Sequence, residues 1–140
     1  MIRCYYVSMN ILTALFITTS TQFGLPPNLL SSLCYVESTH KVNAVHHDDG
    51  GSDSLGICQI KFETSRWLGF KGTAKQLMNP KINIYYAGKY LARNIKRYNG
   101  QIEKAVIAYN KGSAGSLVHT KYSQKVFTNW RYRDAISSRR

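Results

Sequence analysis

One stretch constrains the fold more than any other. After Asn79-Pro80 the chain sets Ile84, Ala87, Leu91, Ile95 and Tyr98 on one helical face, and Gly100 ends the run. Proline is tolerated in a helix's first turn and glycine at its end, so this spacing predicts one long amphipathic helix. Its neighbours read the same way. Leu25-Pro26-Pro27-Asn28 reads as a helix entry, with the prolines in the first turn, and Leu30, Leu33 and Cys34 follow on one face. Short helices are expected over 62–68, stopped by Gly69, and over 73–78, opened by a Thr73/Gln76 capping box. Ile102, Ala105, Val106 and Tyr109 mark another, over 101–109. Val118, Tyr122, Val126 and Trp130 mark a last one over 117–130, followed by a basic tail, 131–140, that should fray. The fold class is mainly α (α+β), with at most a small β-hairpin near residues 44–60, where Gly, Ser and Asp dominate positions 48–54. With 140 residues there is room for one domain with a proper core.

The N-terminus leaves two readings open. No charged residue occurs from Cys4 to Val36, and Arg3 precedes an apolar run centred on residues 11–17 with Thr18, Thr19 and Ser20 behind it. Residues 1–21 therefore read as a signal peptide cleaved near Ser20, the preferred expectation, or as a buried first helix with Leu12, Leu15, Phe16 and Thr19 on one face. The run is too short and too interrupted by Asn10 and Thr13 for a membrane-spanning helix. Cys34 and Cys58 are expected to be two small buried thiols, with a disulfide between them the alternative. There is no CxxC and no zinc-site spacing, so neither a metal nor a cofactor is expected. His46 and His47 beside Asp48 and Asp49 read as a solvated loop.

Lys and Arg number 19 against 7 Asp and Glu, a formal charge of +12. Such a field favours a polyanionic partner, which includes nucleic acid and anionic cell wall. The basic residues are spread from Lys41 to Arg140 with no aromatic-basic motif of a nucleic-acid reader, so no nucleic-acid partner is expected.

Against this basic background Glu37 stands out. It is the only acidic side chain before Val45, and it falls on the Leu30, Leu33, Cys34 stripe at the next helical step. A carboxylate in line with an apolar face should be partly desolvated, which raises its pKa. Gln59 lies among Ile57, Cys58 and Ile60, and Tyr109 closes its own apolar stripe. Three polar groups so placed suggest a site. An acid kept protonated by an apolar setting is what protonation of a leaving sugar oxygen requires.

These residues carry a resemblance. Glu37-Ser38 followed by Asn43-Ala44-Val45, then Gly56-Ile57-Cys58-Gln59-Ile60, then Ala108-Tyr109-Asn110 with Gly112, resemble in order and spacing the three motifs of the soluble lytic transglycosylase catalytic domain, a lysozyme-like fold. Leu77, Asn79-Pro80, Asn83-Ile84, Gly88, Tyr90-Leu91, Tyr98 and Gly100 fit between them, and the resemblance spans 22–130. It implies cleavage of the β-1,4 bond between N-acetylmuramic acid and N-acetylglucosamine in peptidoglycan glycan strands, with a 1,6-anhydro product. Glu37 would be the catalytic acid and base, and Ser38, Gln59, Tyr109 and Asn110 would form the substrate site: Ser38 would hold Glu37 or the N-acetyl group, Gln59 would orient sugar, Tyr109 would hydrogen-bond near the acid, and Asn110 suits a helix cap better than a substrate contact. The chain would act as a monomer, exported to the periplasm or cell envelope if the signal reading holds and phage-associated otherwise. Association with an envelope-spanning or phage machinery stays open.

This sequence departs from the family pattern in three places. Cys58 stands where Met is usual, the 46–56 loop is longer and more acidic, and "NKGSAGS" replaces the usual Asn-Ala-Gly-Pro run. The loop raises a rival: Asp53, or Asp48 or Asp49, could pair with Glu37 in a two-carboxylate, lysozyme-type hydrolase. A basic wall- or nucleic-acid-binding module without activity is the rival from another class.

Overall fold

A computed structural model describes residues 10–47 and 51–138. Among these, seven helices surround a small antiparallel sheet: α1 (Ile11–Gln22), α2 (Leu29–Ser38), β1 (Val45–His46), β2 (Ser54–Leu55), β3 (Ile60–Lys61), α3 (Phe62–Trp67), α4 (Ala74–Leu77), α5 (Pro80–Arg97), α6 (Ile102–Lys111) and α7 (Lys121–Ser137). The mainly α expectation and the small sheet within 44–60 hold, with a third strand, β3, closing the sheet in the order β1-β2-β3. Val45 pairs with Leu55, and Leu55 with Ile60. No helix among the described residues is long and apolar enough to cross a membrane.

The long helix α5 is the hub. Its predicted stripe supplies Ile84, Ala87 and Leu91 to the main core, where they meet Leu30, Leu33, Val106 and Val126 from α2, α6 and α7. A second, smaller core of Leu55, Ile60, Leu68, Phe70 and Leu77 lies between the sheet and α3–α4. Helix α1 crosses α5 closely: a Cβ on Gly88 would come within 2.4 Å of the Thr19 methyl. The face expected for a first helix is the buried one: Phe16 is in the core, Leu12 and Leu15 pack on it, and Thr19 is buried. Cleavage near Ser20 would remove Phe16 from that core. Cys4 and residues 1–9 lie outside the described residues.

Several boundaries differ from the sequence reading. Pro26 and Pro27 form the turn ahead of α2 rather than its first turn, and Asn28 is the N-cap in a left-handed conformation. The last helix starts at Lys121, because Thr120 and Ser123 make a capping box there, and Val118 is left exposed. It does not fray after Trp130. Asp134 accepts a hydrogen bond from Asn28 Nδ2 (2.9 Å), and the Trp130 indole donates to the Pro27 carbonyl (2.8 Å), so α7 stays docked on the α2 entry through Ser137.

Cys34 and Cys58 are not free thiols. They form a disulfide. Spacing could not show this, since pairing depends on close Cα atoms, and these lie 24 positions apart in sequence. Closing a loop of that size contributes on the order of 3 kcal/mol.

Candidate active site

The turn between β2 and β3 is built around a buried amide. Asn83 of α5 accepts from the Cys58 backbone N–H (2.9 Å) and donates to the Leu55 (2.8 Å) and Leu77 (2.9 Å) carbonyls. A buried polar side chain needs such partners, and here all of them are backbone groups of the elements around it. Gly56 is obligatory in this turn. Its φ is +79°, and an added Cβ would fall 2.4 Å from Asn83 Nδ2.

This turn is clamped to the end of α2. The disulfide joins it to Cys34, and the Ser38 hydroxyl donates to the Ile57 carbonyl (2.6 Å). Glu37 lies between these two ties, at the C-terminal end of α2. It lines a cleft of about 190 Å³ with Gln59, Tyr90, Tyr109 and Asn110, and Lys61 and Thr64 stand at its other side. Gln59 has φ +51°, and its amide nitrogen donates to the Ala44 (3.1 Å) and Gly56 (2.9 Å) carbonyls, which fixes the side chain's orientation.

Glu37 is half-buried, and burial pushes its pKa up to about 7. The opposing influence is a hydrogen bond: the Tyr122 hydroxyl donates to Glu37 Oε1 at 2.5 Å, which favours the ionised form. Burial is the larger effect. Both protonation states are therefore accessible near neutral pH, the condition for a group that first gives and then takes a proton. Burial also pushes the Tyr109 and Tyr122 phenols well above their ordinary value, with the Glu37 charge adding to it, so both remain hydrogen-bond donors.

The structure brings Glu37, Gln59, Tyr109 and Asn110 to one cleft. Tyr109 does not bond the acid. Its hydroxyl donates to the Cys58 carbonyl (2.7 Å), and its ring packs on Tyr90 with centroids 5.3 Å apart. Asn110 is not a helix cap: α6 continues through Lys111, Gly112 is the cap at φ +85°, and Asn110 is exposed in the last turn. Ser38 does not line the cleft. Its hydroxyl is engaged by backbone, donating to Ile57 and accepting from the Lys41 N–H (3.1 Å).

Tyr122 is the residue that sequence reasoning missed. Its place on the Val126, Trp130 stripe marks it as core, and its partner lies 85 positions away. Only the packing of α7 on α2 brings them together. A Tyr on an apolar stripe signals a hydroxyl in need of a partner, but not which partner.

The hairpin aspartates have another setting. Asp53 pairs with the exposed His47 (Nδ1–Oδ1 3.0 Å) and does not line the cleft. Asp48 and Asp49 lie outside the described residues. Glu37 is the one carboxylate lining this cleft among the described residues.

Comparison with known proteins shows the family and the fold. A family model, the transglycosylase SLT domain, matches residues 14–129. Invasion protein IagB of Salmonella typhimurium (strain SL1344) is 31% identical over 120 residues, which cover 83% of this chain and 74% of that one. Protein IpgF of Shigella flexneri is 27% identical over 113 residues, covering 78% and 74%. Among solved structures, an inactive mutant of the lytic transglycosylase Slt from Pseudomonas aeruginosa superposes with a TM-score of 0.63 at 22% identity. That match covers 85% of this chain but spans only 21% of the other, and it supports the fold.

Proposed function

We propose that this chain, which belongs to the transglycosylase SLT domain family, cleaves peptidoglycan glycan strands without consuming water. Protonated Glu37 donates to the glycosidic oxygen between N-acetylmuramic acid and N-acetylglucosamine, and the bond from that oxygen to C1 breaks. The muramic acid's N-acetyl oxygen bonds C1 in the interval, a substrate-assisted route that needs no second carboxylate. Ionised Glu37 then takes the proton of the same sugar's six-position hydroxyl, whose oxygen displaces the N-acetyl oxygen at C1 and closes a 1,6-anhydro ring. Atoms balance, and Glu37 ends protonated, ready for the next turnover.

One observation carries this reading. The cleft holds a single carboxylate among the described residues, raised to about 7 and touched by a phenol donor. Tyr122 steadies the ionised state between the two proton transfers, Gln59 offers its amide oxygen to sugar hydroxyl and N-acetyl N–H groups, and Asn110 offers its whole amide. The Cys34–Cys58 disulfide supports work in an oxidising compartment outside the cytoplasm. The basic surface supports encounter with anionic wall rather than the chemical step.

Mass spectrometry of the released sugar ends tests the reading. Anhydro ends, lighter by one water than reducing ends, are expected. Reducing ends carrying oxygen from labelled water would establish hydrolysis instead.

A further inference from the structure

A second cavity, of about 340 Å³, adjoins the catalytic cleft and shares Thr64, Tyr90 and Gly112 with it. Its walls are α3 and α5. On α5, Tyr90, Arg93, Asn94 and Arg97 fall at i, i+3, i+4 and i+7, so one helical face turns all four towards α3. The Arg93 guanidinium carbon lies over the exposed Trp67 ring of α3, 3.8 Å from its centroid. A cation–π contact of this kind positions a guanidinium without using up its N–H donors. Arg97 is held by the Gly112 carbonyl (3.0 Å) and lies over the Tyr98 ring. Neither arginine is ion-paired among the described residues. Glu63 is the single acid on the wall among the described residues, so two cations there face one carboxylate.

Asn94 adds an independent sign. It is 2% exposed, it lines this cavity, and its amide nitrogen has no hydrogen-bond partner among the described residues. Buried amides are ordinarily satisfied. An unsatisfied amide donor on the same cavity wall as two guanidinium groups without an ion pair leaves that wall rich in donors and short of acceptors. The uncharged sugar rings of a glycan strand do not supply an anion, but the short peptides borne on its muramic acid residues carry carboxylates.

We propose that this cavity is an anion subsite that receives a carboxylate of the peptide substituent on the glycan strand, held by Arg93 and Arg97 with Asn94 behind them. The proposal rests on the glycan-cleaving reading of the adjoining cleft. Its effect is on substrate choice: strands still bearing peptides are preferred over bare ones.

Two measurements on the full chain test it. The first compares kcat/KM on peptide-bearing strands and on the same strands stripped of peptide. Wild type should prefer the peptide-bearing strands by about tenfold, the scale of one charge-assisted hydrogen bond. The Arg93→Gln/Arg97→Gln variant should bring that ratio close to one. Equal rates on both strands by wild type, or an undiminished ratio in the variant, would overturn the proposal. The second needs no turnover. A free stem peptide should shift the NMR signals of the Trp67 indole N–H and the Arg93 and Arg97 Nε–H groups, and its amidated form should not. Shifts that survive amidation, or none at these groups, would sink the subsite. Failure to cleave any strand, with the carboxylate-dependent shifts present, would count against the catalytic reading alone.

Discussion

The cleft floor and the hairpin rim each carry a carboxylate, and the two differ in everything that decides chemistry. Glu37 ends a buried helix, flanked by a disulfide and a serine tie, with a phenol on its oxygen. Asp53 sits on a two-residue-strand hairpin, paired with an exposed histidine. Desolvation holds Glu37 protonated to about 7, so it can act as an acid where an ordinary carboxylate has already lost its proton. A carboxylate's distance along the chain from the acid, which made Asp53 a candidate, does not place it in the cleft.

Replacement of the floor carboxylate should have the largest effect. Glu37→Gln keeps the shape and removes the proton, and turnover of isolated strands should fall by roughly a thousandfold. The same variant has a stability signature. Between pH 4.5 and about 7 the folded chain keeps a proton at Glu37 that the unfolded chain has released, so wild-type stability falls as pH rises through that window. Glu37→Gln should therefore match wild type near pH 4.5 and exceed it at pH 8, by up to roughly 3 kcal/mol. Denaturant melts at the two pH values check the sign. Near-normal turnover, or a variant less stable at pH 8, would break the comparison.

Loss of the disulfide comes next. A Cys34→Ala/Cys58→Ala variant should lose on the order of 3 kcal/mol of stability in denaturant melts. It should also lose activity, because the turn carrying Gln59 and the Tyr109 acceptor then keeps, among the described residues, the Ser38 hydroxyl as its side-chain tie to α2. Full activity in the stable fraction would show that the floor does not need this clamp.

Tyr122→Phe removes the donor that favours ionised Glu37. The alkaline limb of the kcat/KM profile should move to higher pH, and the maximal rate should drop about tenfold, the scale of one lost hydrogen bond to a charged group of about 1.4 kcal/mol. A limb that stays in place would assign Tyr122 to packing only.

The smallest effect belongs to the rim. Asp53→Asn should change product formation by about fivefold or less, since exposed ion pairs contribute roughly 0–1 kcal/mol. Abolished activity with the fold intact would reverse the ranking and favour a two-carboxylate hydrolase.

This contrast also explains what the sequence made legible. Glu37 could be read because its helix encodes its own buried face, and a carboxylate on that stripe is a local anomaly. The α5 stripe, the Thr73–Gln76 capping box and the 44–60 hairpin are equally local, and the structure has all three. What escaped depends on helices meeting. Tyr122 reaches Glu37 across 85 positions, Cys34 reaches Cys58 across 24, and Asn28 reaches Asp134 across 106. The first pair completes the acid's surroundings, the second turns two apparent thiols into a clamp, and the third keeps a tail helical that its own composition would let fray. Tyr109 is the intermediate case: its burial follows from the stripe, but its hydroxyl goes to the Cys58 carbonyl, a partner set by the turn's fold.

The central claim is that the floor carboxylate is still protonated near neutral pH. It is tested most directly by following the Glu37 side-chain carboxyl carbon by NMR as pH is raised, in the full chain with glutamate labelled at that carbon and Glu37→Gln used to assign the signal. The account predicts a midpoint of about 7 for Glu37. A midpoint near 4.5, the ordinary value for a glutamate, would mean that the cleft does not desolvate its acid and would contradict the account.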